Sequence, residues 1–346
     1  MTLTQSPPLR RESLLLAGAL LVAVLVAGLR LQGPGHPAED AAMLMRYSAH
    51  LAQGHGIVWN IGEKPVDGAS DFLFMVMLAG LNALGVPLES AVLGLGLAAH
   101  LGTIALVFWT VARLEPGSAW LAALSALLLA VGPGMTYTAA YFGTTTFALA
   151  GALTWHMAAR LARAAQPARR LTLGFAGASL LTGLIRPEGV FLALFILLGL
   201  LVRREGRGGR AILRDFALVF GGLGLAYFLW RWAYFGYPLP NPFYKKGAGG
   251  LHPEVLIQSL REVLQLNQPY FWLAGGTLAA VLVKWLPSLG GSRIFISLER
   301  KKVSTGLVAL GAATGLAVGL AFTRHSQPQP GMIFERYSQQ YFTLLL

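Results

Sequence analysis

Two adjacent acids, Glu39 and Asp40, open a polar stretch between the first two apolar segments of this chain. The stretch runs through Arg46, Tyr47, His50, Gly54, His55 and Gly56 to Val58-Trp59-Asn60, Gly62-Glu63-Lys64 and Asp67-Gly68. A carboxylate beside an apolar surface can act as a general base once its surroundings tune its proton affinity. Spacing alone allows Asp40 that role but favours a helix N-cap or first-turn acid. His50 and His55 are two histidines without a clear third ligand, so a metal site is not implied by them and surface positions suit them as well.

Basic groups form the second candidate set. Arg186-Pro187-Glu188-Gly189 interrupts two apolar runs. It reads either as a turn in which Arg186 pairs with Glu188 or lipid, or as a phosphate or substrate contact on a cavity wall, because charge at such depth needs a partner or water. Further on, Lys245 and Lys246 follow the aromatic stretch from Arg231 to Tyr244. Two lysines on an outer loop run against the inward bias of basic residues, and a lipid-linked phosphate would give them a partner. Arg324, His325 and Arg336 in the tail invite the same reading.

The elements that must position these groups are membrane spans. Of the 346 residues 55% are hydrophobic and only 12% charged, about half the charge of a soluble domain. About ten apolar segments approach the length of a membrane helix: 14–31, 71–86, 91–112, 118–132, 144–160, 171–185, 189–202, 211–235, 270–287 and 303–323. The expected fold is therefore all-α, a single polytopic transmembrane bundle over 1–346 with about nine or ten spans. The first segment follows Arg10 and Arg11 without a clear cleavage site and reads as an uncleaved signal-anchor. Tyr341–Leu346 resembles the start of a further span.

Arginine-rich connections at 160–170, 203–214 and 288–302 belong on the cytoplasmic side with the N-terminus. This places the first outer loop 32–70, the second outer loop 236–269 and the tail 324–346 on the opposite, periplasmic side. One conflict follows: if every segment between 71 and 160 crosses, loop 160–170 falls outside despite its arginines. One of those segments does not cross, or is wrongly bounded.

Residues 38–53 have helical periodicity, with Glu39, Arg46, His50 and Gln53 on one face and Leu44, Tyr47 and Leu51 on another. This is the pattern of an interfacial amphipathic helix. The net charge of +12 comes from arginines at span ends; it suits anionic lipid rather than nucleic acid. There is no cysteine, hence no disulfide or thiolate metal site. No P-loop, G-x-G-x-x-G after a strand, H-E-x-x-H or G-x-S-x-G occurs, which removes support for ATP hydrolysis, zinc proteolysis and hydrolase chemistry of those kinds. The absence of an internal repeat and of a mid-span charge pair disfavours a transporter.

The landmarks together resemble the integral-membrane glycosyltransferases of the GT-C superfamily, and within them the bacterial branch that contains the terminal arabinofuranosyltransferases. The resemblance rests on Glu39-Asp40, Arg46-Tyr47, Leu51, Gly54, Gly56, Val58-Trp59-Asn60, Gly62-Glu63, Val66 and Gly68. It continues through Arg186 to Gly189, then Phe235-Gly236, Pro240-Asn241, Tyr244 and Lys246, and Arg336-Tyr337. It implies that a sugar on a polyprenyl phosphate is transferred to a cell-envelope acceptor on the outer face of a bacterial inner membrane. Asp40, with Glu39 beside it, is then the catalytic acid pair. Lys246, Lys245, Arg186 and Arg336 are the donor-phosphate candidates. Arg46, Tyr47, His55, Asn60, Glu63, Glu188, Asn241 and Tyr244 surround the substrates. No cofactor is demanded; a divalent cation, Mg or Mn, near Asp40 is compatible with the resemblance. Membrane lipids and membrane-complex subunits are the other implied partners. Two departures stand out: the family's first acid is usually Asp where this chain has Glu39, and the glutamate of a G-L-E-T phrase is replaced by Thr145. They leave a non-catalytic, lipid-binding or scaffold relative as the alternative.

Overall fold

The computed structural model describes residues 8–32, 37–114, 119–132, 134–204 and 207–241. The expected segments 270–287 and 303–323, the tail, and Tyr244, Lys245, Lys246 and Arg336 lie outside the described residues. Among the described residues all regular structure is helical: α1 (Pro8–Arg30), α2 (Glu39–Ala52), α3 (Phe72–Ala83), α4 (Leu88–Leu114), α5 (Ala119–Val131), α6 (Gly134–Ala139), α7 (Thr144–Arg163), α8 (Arg169–Ile185), α9 (Glu188–Arg203), α10 (Arg207–Phe216) and α11 (Gly224–Phe235). A π-helical stretch, Ala217–Leu223, joins α10 to α11 as one continuous rod. The all-α expectation holds for these residues.

Among the described residues, four helical stretches are long and apolar enough to cross a membrane: Arg11–Arg30, Leu88–Arg113, Ala119–Ala139 and Gly208–Phe235. Their outward faces are lined by leucines such as Leu14, Leu21, Leu124, Leu218 and Leu225. Inward faces carry small residues instead. On α1, Ala19 and Ala23 meet Ala122, Ala123, Ala126 and Ala130 of α5 together with Ile104 and Phe108 of α4, the close backbone approach that small residues permit in an apolar solvent. α7 is the central helix and packs on α4, α8 and α9. Because it buries Thr144, Thr145, Thr146, Thr154 and His156, its polarity is turned inward, which explains why it reads as less apolar than its neighbours.

Chain direction follows from the two ends of the bundle. At one end α2, α3, the start of α4, Tyr141 and Phe235 share one apolar cluster. At the other, the Arg163 guanidinium donates to the Arg113 carbonyl at 2.8 Å, joining the last turns of α7 and α4. α4 and α7 therefore run in the same direction and pack on each other, while α5, packed on α1 and α4, runs back and leads through α6 into α7. The last turn of α7 with Arg163, the first turn of α8 with Arg169 and Arg170, the end of α9 and the start of α1 share this second end.

This arrangement accounts for the parity conflict. α3 has 12 residues, about 18 Å of helix, well short of a ~30 Å hydrocarbon core. Phe74, Met75 and Leu78 all lie in the same end cluster as Ala91 and Val92, just past the turn into α4. The segment 71–86 thus turns back within one end of the bundle, and α4 is the first helix after α1 to run the length of the bundle.

Candidate functional site

The polar loop that follows α1 is a folded unit built on α2. Its buried side, with Ala41, Leu44, Met45, Tyr47 and Ser48, packs on α3, where the Ser48 hydroxyl lies 3.1 Å from the Met75 carbonyl. The apolar face read as membrane-directed therefore lies on protein. On the open side, Arg46 sits over the Trp59 ring with its guanidinium carbon 4.4 Å from the ring centre. The same group donates to the Trp59 carbonyl at 2.8 Å and to Asn60 Oδ1 at 2.9 Å. Asn60 in turn donates to Glu63 Oε2 at 3.0 Å. His50 Nδ1 lies 2.9 Å from the Val58 carbonyl, and its ring meets the exposed His55 edge-on. Arg46, Asn60 and Glu63 thus form one polar rim beside Trp59.

Two glycines of the loop are dictated by tyrosines. A Cβ on Gly68 would stand 2.5 Å from the Tyr47 hydroxyl, and one on Gly56 would stand 2.7 Å from the Tyr234 hydroxyl. Gly56 also has a φ of +82°, which disfavours other residues independently. Tyr47 is buried; burial pushes its phenol pKa up, with the Gly68 backbone hydrogen bond working against that shift. Its position beneath Gly68 makes it a packing residue of the loop.

Glu39 and Asp40 occupy the exposed first turn of α2. The cap position itself is Ala38, which has no side-chain cap and whose N–H donates to the Ala140 carbonyl at 3.3 Å. Asp40 is therefore a first-turn acid and not the N-cap, and the structural alternative narrows accordingly. The Ala38–Ala140 bond also brings the acid pair to the turn that precedes α7. There Gly143 abuts Phe74 of α3. Thr145 is buried with its hydroxyl 3.4 Å from that of Thr138.

A buried set of charges lies where α3 begins and α8 turns into α9. Arg186 pairs with Asp71 at 3.5 Å and with Glu188 at 3.4 Å; the Arg186 and Asp71 side chains are 5% and 9% exposed. The turn is tight because a Cβ on Gly189 would fall 2.3 Å from the Thr182 carbonyl oxygen. Nearby in the chain, Asp67 makes an ion pair with Arg231 of α11, and the Asp67 carbonyl accepts the Asn241 N–H at 2.8 Å. Tyr234 completes this seam, its hydroxyl accepting the Ile57 N–H at 3.0 Å. Burial pushes the Asp67 carboxyl up to about 6, while the charge and hydrogen bond of Arg231 hold it down. The loop built on α2 is thus tied to the far end of the described chain, and Asn241 is brought to it.

The structure joins the expected residues into three groups: Glu39 with Asp40, Arg46–Trp59–Asn60–Glu63, and Arg186 with Glu188. Sequence reasoning passed over Asp67, Asp71, Arg231 and Tyr234. A sign was present: Arg231 lies inside an apolar run, where an ionisable residue calls for a named partner. For the divalent cation, Glu39 and Asp40 are neighbours on a helix and point ~100° apart. No group of three His, Asp or Glu side chains that could hold a metal occurs among the described residues. The described residues do not complete a cation site. In comparisons with family profiles, curated proteins and solved structures, the chain matches none.

Proposed function

We propose that this chain is a GT-C-type glycosyltransferase of a bacterial inner membrane, with α2 and the acid pair on the outer face. In this reading the acceptor hydroxyl gives its proton to Asp40 as its oxygen attacks the anomeric carbon. The bond from that carbon to the phosphate oxygen breaks, and polyprenyl phosphate leaves with the electron pair. Glu39 adds negative charge beside the base. The rim of Arg46, Asn60 and Glu63 with Trp59 offers hydrogen bonds and an aromatic edge to a sugar. Arg186 is already engaged by two carboxylates, so we assign it to holding α3, α8 and α9 together, and assign the phosphate to Lys245 and Lys246.

The observation that carries the reading is the polar rim in its setting. Residues scattered over 46–63 converge on one open face of α2, and the same helix presents Asp40 at its exposed start. If α3 returns without crossing, the arginine-rich ends near 160–170 and 203–214 fall on the side opposite that face, as the inward bias of arginine asks. The test is transfer by the purified chain from radiolabelled polyprenyl-phosphate sugars to envelope extracts. Labelled product is expected. No product with any donor supports the second reading, a non-catalytic lipid-binding or scaffold subunit, which Thr145 buried against Thr138 favours.

A further inference from the structure

At the arginine end of the bundle, guanidinium charge outruns the carboxylates that could neutralise it. Among the described residues there, Asp215 is buried and already engaged: the Thr172 hydroxyl donates to it, and Arg214 pairs with it at 2.8 Å. Glu12 near the start of α1 is a further acid of this end, and in the sequence Glu115 and Glu205 adjoin α4 and α9; together these are fewer than the arginines of α7, α8, α9 and α10. Arg204 is the most confined of these. Its Nη1 lies 3.1 Å from where a Gly208 Cβ would stand, and Pro167 faces the same point from 3.6 Å. Its Nε is buried and has no hydrogen-bond partner. Burial and the adjacent Arg203 charge both push its proton affinity down, so an anion here would relieve a real cost. Arg169 follows Pro167 by two residues and Arg210 follows Gly208 by two, and both are exposed, as is Arg214.

The flank beside this charge is apolar. Leu213 and Leu218 are 48% and 64% exposed along the rod that begins with α10, and Leu173 on α8 is 37% exposed. A free phosphate would use only the charge; a phospholipid uses the charge and lays its acyl chains along the leucines. We infer that Arg204, with Arg169, Arg203 and Arg210, cradles the phosphodiester of an anionic phospholipid in the leaflet that the arginine end faces. The guanidinium fork matches two phosphate oxygens, which a lysine ammonium does not. This site is distinct from the proposed transfer site and does not depend on it.

The test is native mass spectrometry of the delipidated, detergent-purified full chain titrated with phosphatidylglycerol or phosphatidylcholine. Phosphatidylglycerol should be retained preferentially. Each arginine removed should weaken retention about fivefold at low salt, so Arg204→Gln should lose about fivefold and R169Q/R203Q/R204Q about 100-fold. Arg204→Lys keeps the charge and the fold, and should still bind more weakly than wild type. Equal retention of the two lipids overturns the inference. So does wild-type retention by Arg204→Lys, which would indicate diffuse surface charge and not a cradle. Displacement of the lipid by inorganic phosphate as readily as by phosphatidylglycerol would make it a free-anion site and overturn the lipid assignment.

Discussion

Arg186→Met tests the buried charge set directly. Methionine keeps most of the aliphatic volume and removes the cation that faces Asp71 at 3.5 Å and Glu188 at 3.4 Å. The Asp71 side chain is only 9% exposed, so its charge would remain in a poorly solvated place without its ion pair. Breaking a buried pair from one side costs about 3–5 kcal/mol. Replacing both partners removes the stranded charge, so D71N/R186M should recover a large part of that loss. The coupling is read from a double-mutant cycle, using unfolding of the four proteins in one detergent. A cost below about 1 kcal/mol for Arg186→Met, the value of an exposed pair, would refute the buried-pair account. A double variant no more stable than Arg186→Met would refute the pairing with Asp71.

Gly68→Ala should destabilise by about 1–3 kcal/mol through overpacking, because its Cβ would fall 2.5 Å from the Tyr47 hydroxyl; thermal unfolding should show the loss largely relieved in G68A/Y47F. For Asp67, a carboxyl raised from 3.8 to about 6 by burial binds a proton more tightly when folded. Its stabilising contribution is therefore full below its unfolded pKa and is lost as pH rises through about 6. Unfolding measured across that window should show this slope in the wild type and not in Asp67→Asn. Since the chain has no cysteine, single cysteines at the exposed positions Gln53 and Gln166 report topology cleanly. A membrane-impermeant thiol reagent applied to intact cells should label Gln53→Cys and spare Gln166→Cys.

What could be read from sequence follows from periodicity and composition. The limits of α2, α5, α7, α8 and α9 fell within a few residues of the apolar blocks, because each block is set off by Gly, Pro or Arg. The short return of α3 was hidden, since hydropathy reports apolar content and not where a helix ends in depth. Only the shared packing of Phe74, Leu78 and Ala91 reveals it. The loop phrase was legible as a unit, yet the tasks within it were not: Tyr47, Gly56 and Gly68 pack, while Arg46, Asn60 and Glu63 form the open rim. Asp67–Arg231 and Asp71–Arg186 join residues more than 100 positions apart, and a single sequence holds no local sign of such pairing beyond the cost of an unpaired charge.

The most direct measurement is transfer by Asp40→Asn set beside Asp40→Ala, both purified in detergent with their unfolding midpoints. Asp40 is exposed in the first turn of α2, where its charge is worth only about 0.3–1 kcal/mol to the helix. Both variants should therefore stay folded. Loss of a general base costs about 10²–10⁴-fold in rate, so transfer from a polyprenyl-phosphate sugar should nearly vanish in both. Wild-type transfer by a folded Asp40→Asn would contradict the assignment of Asp40 as the base.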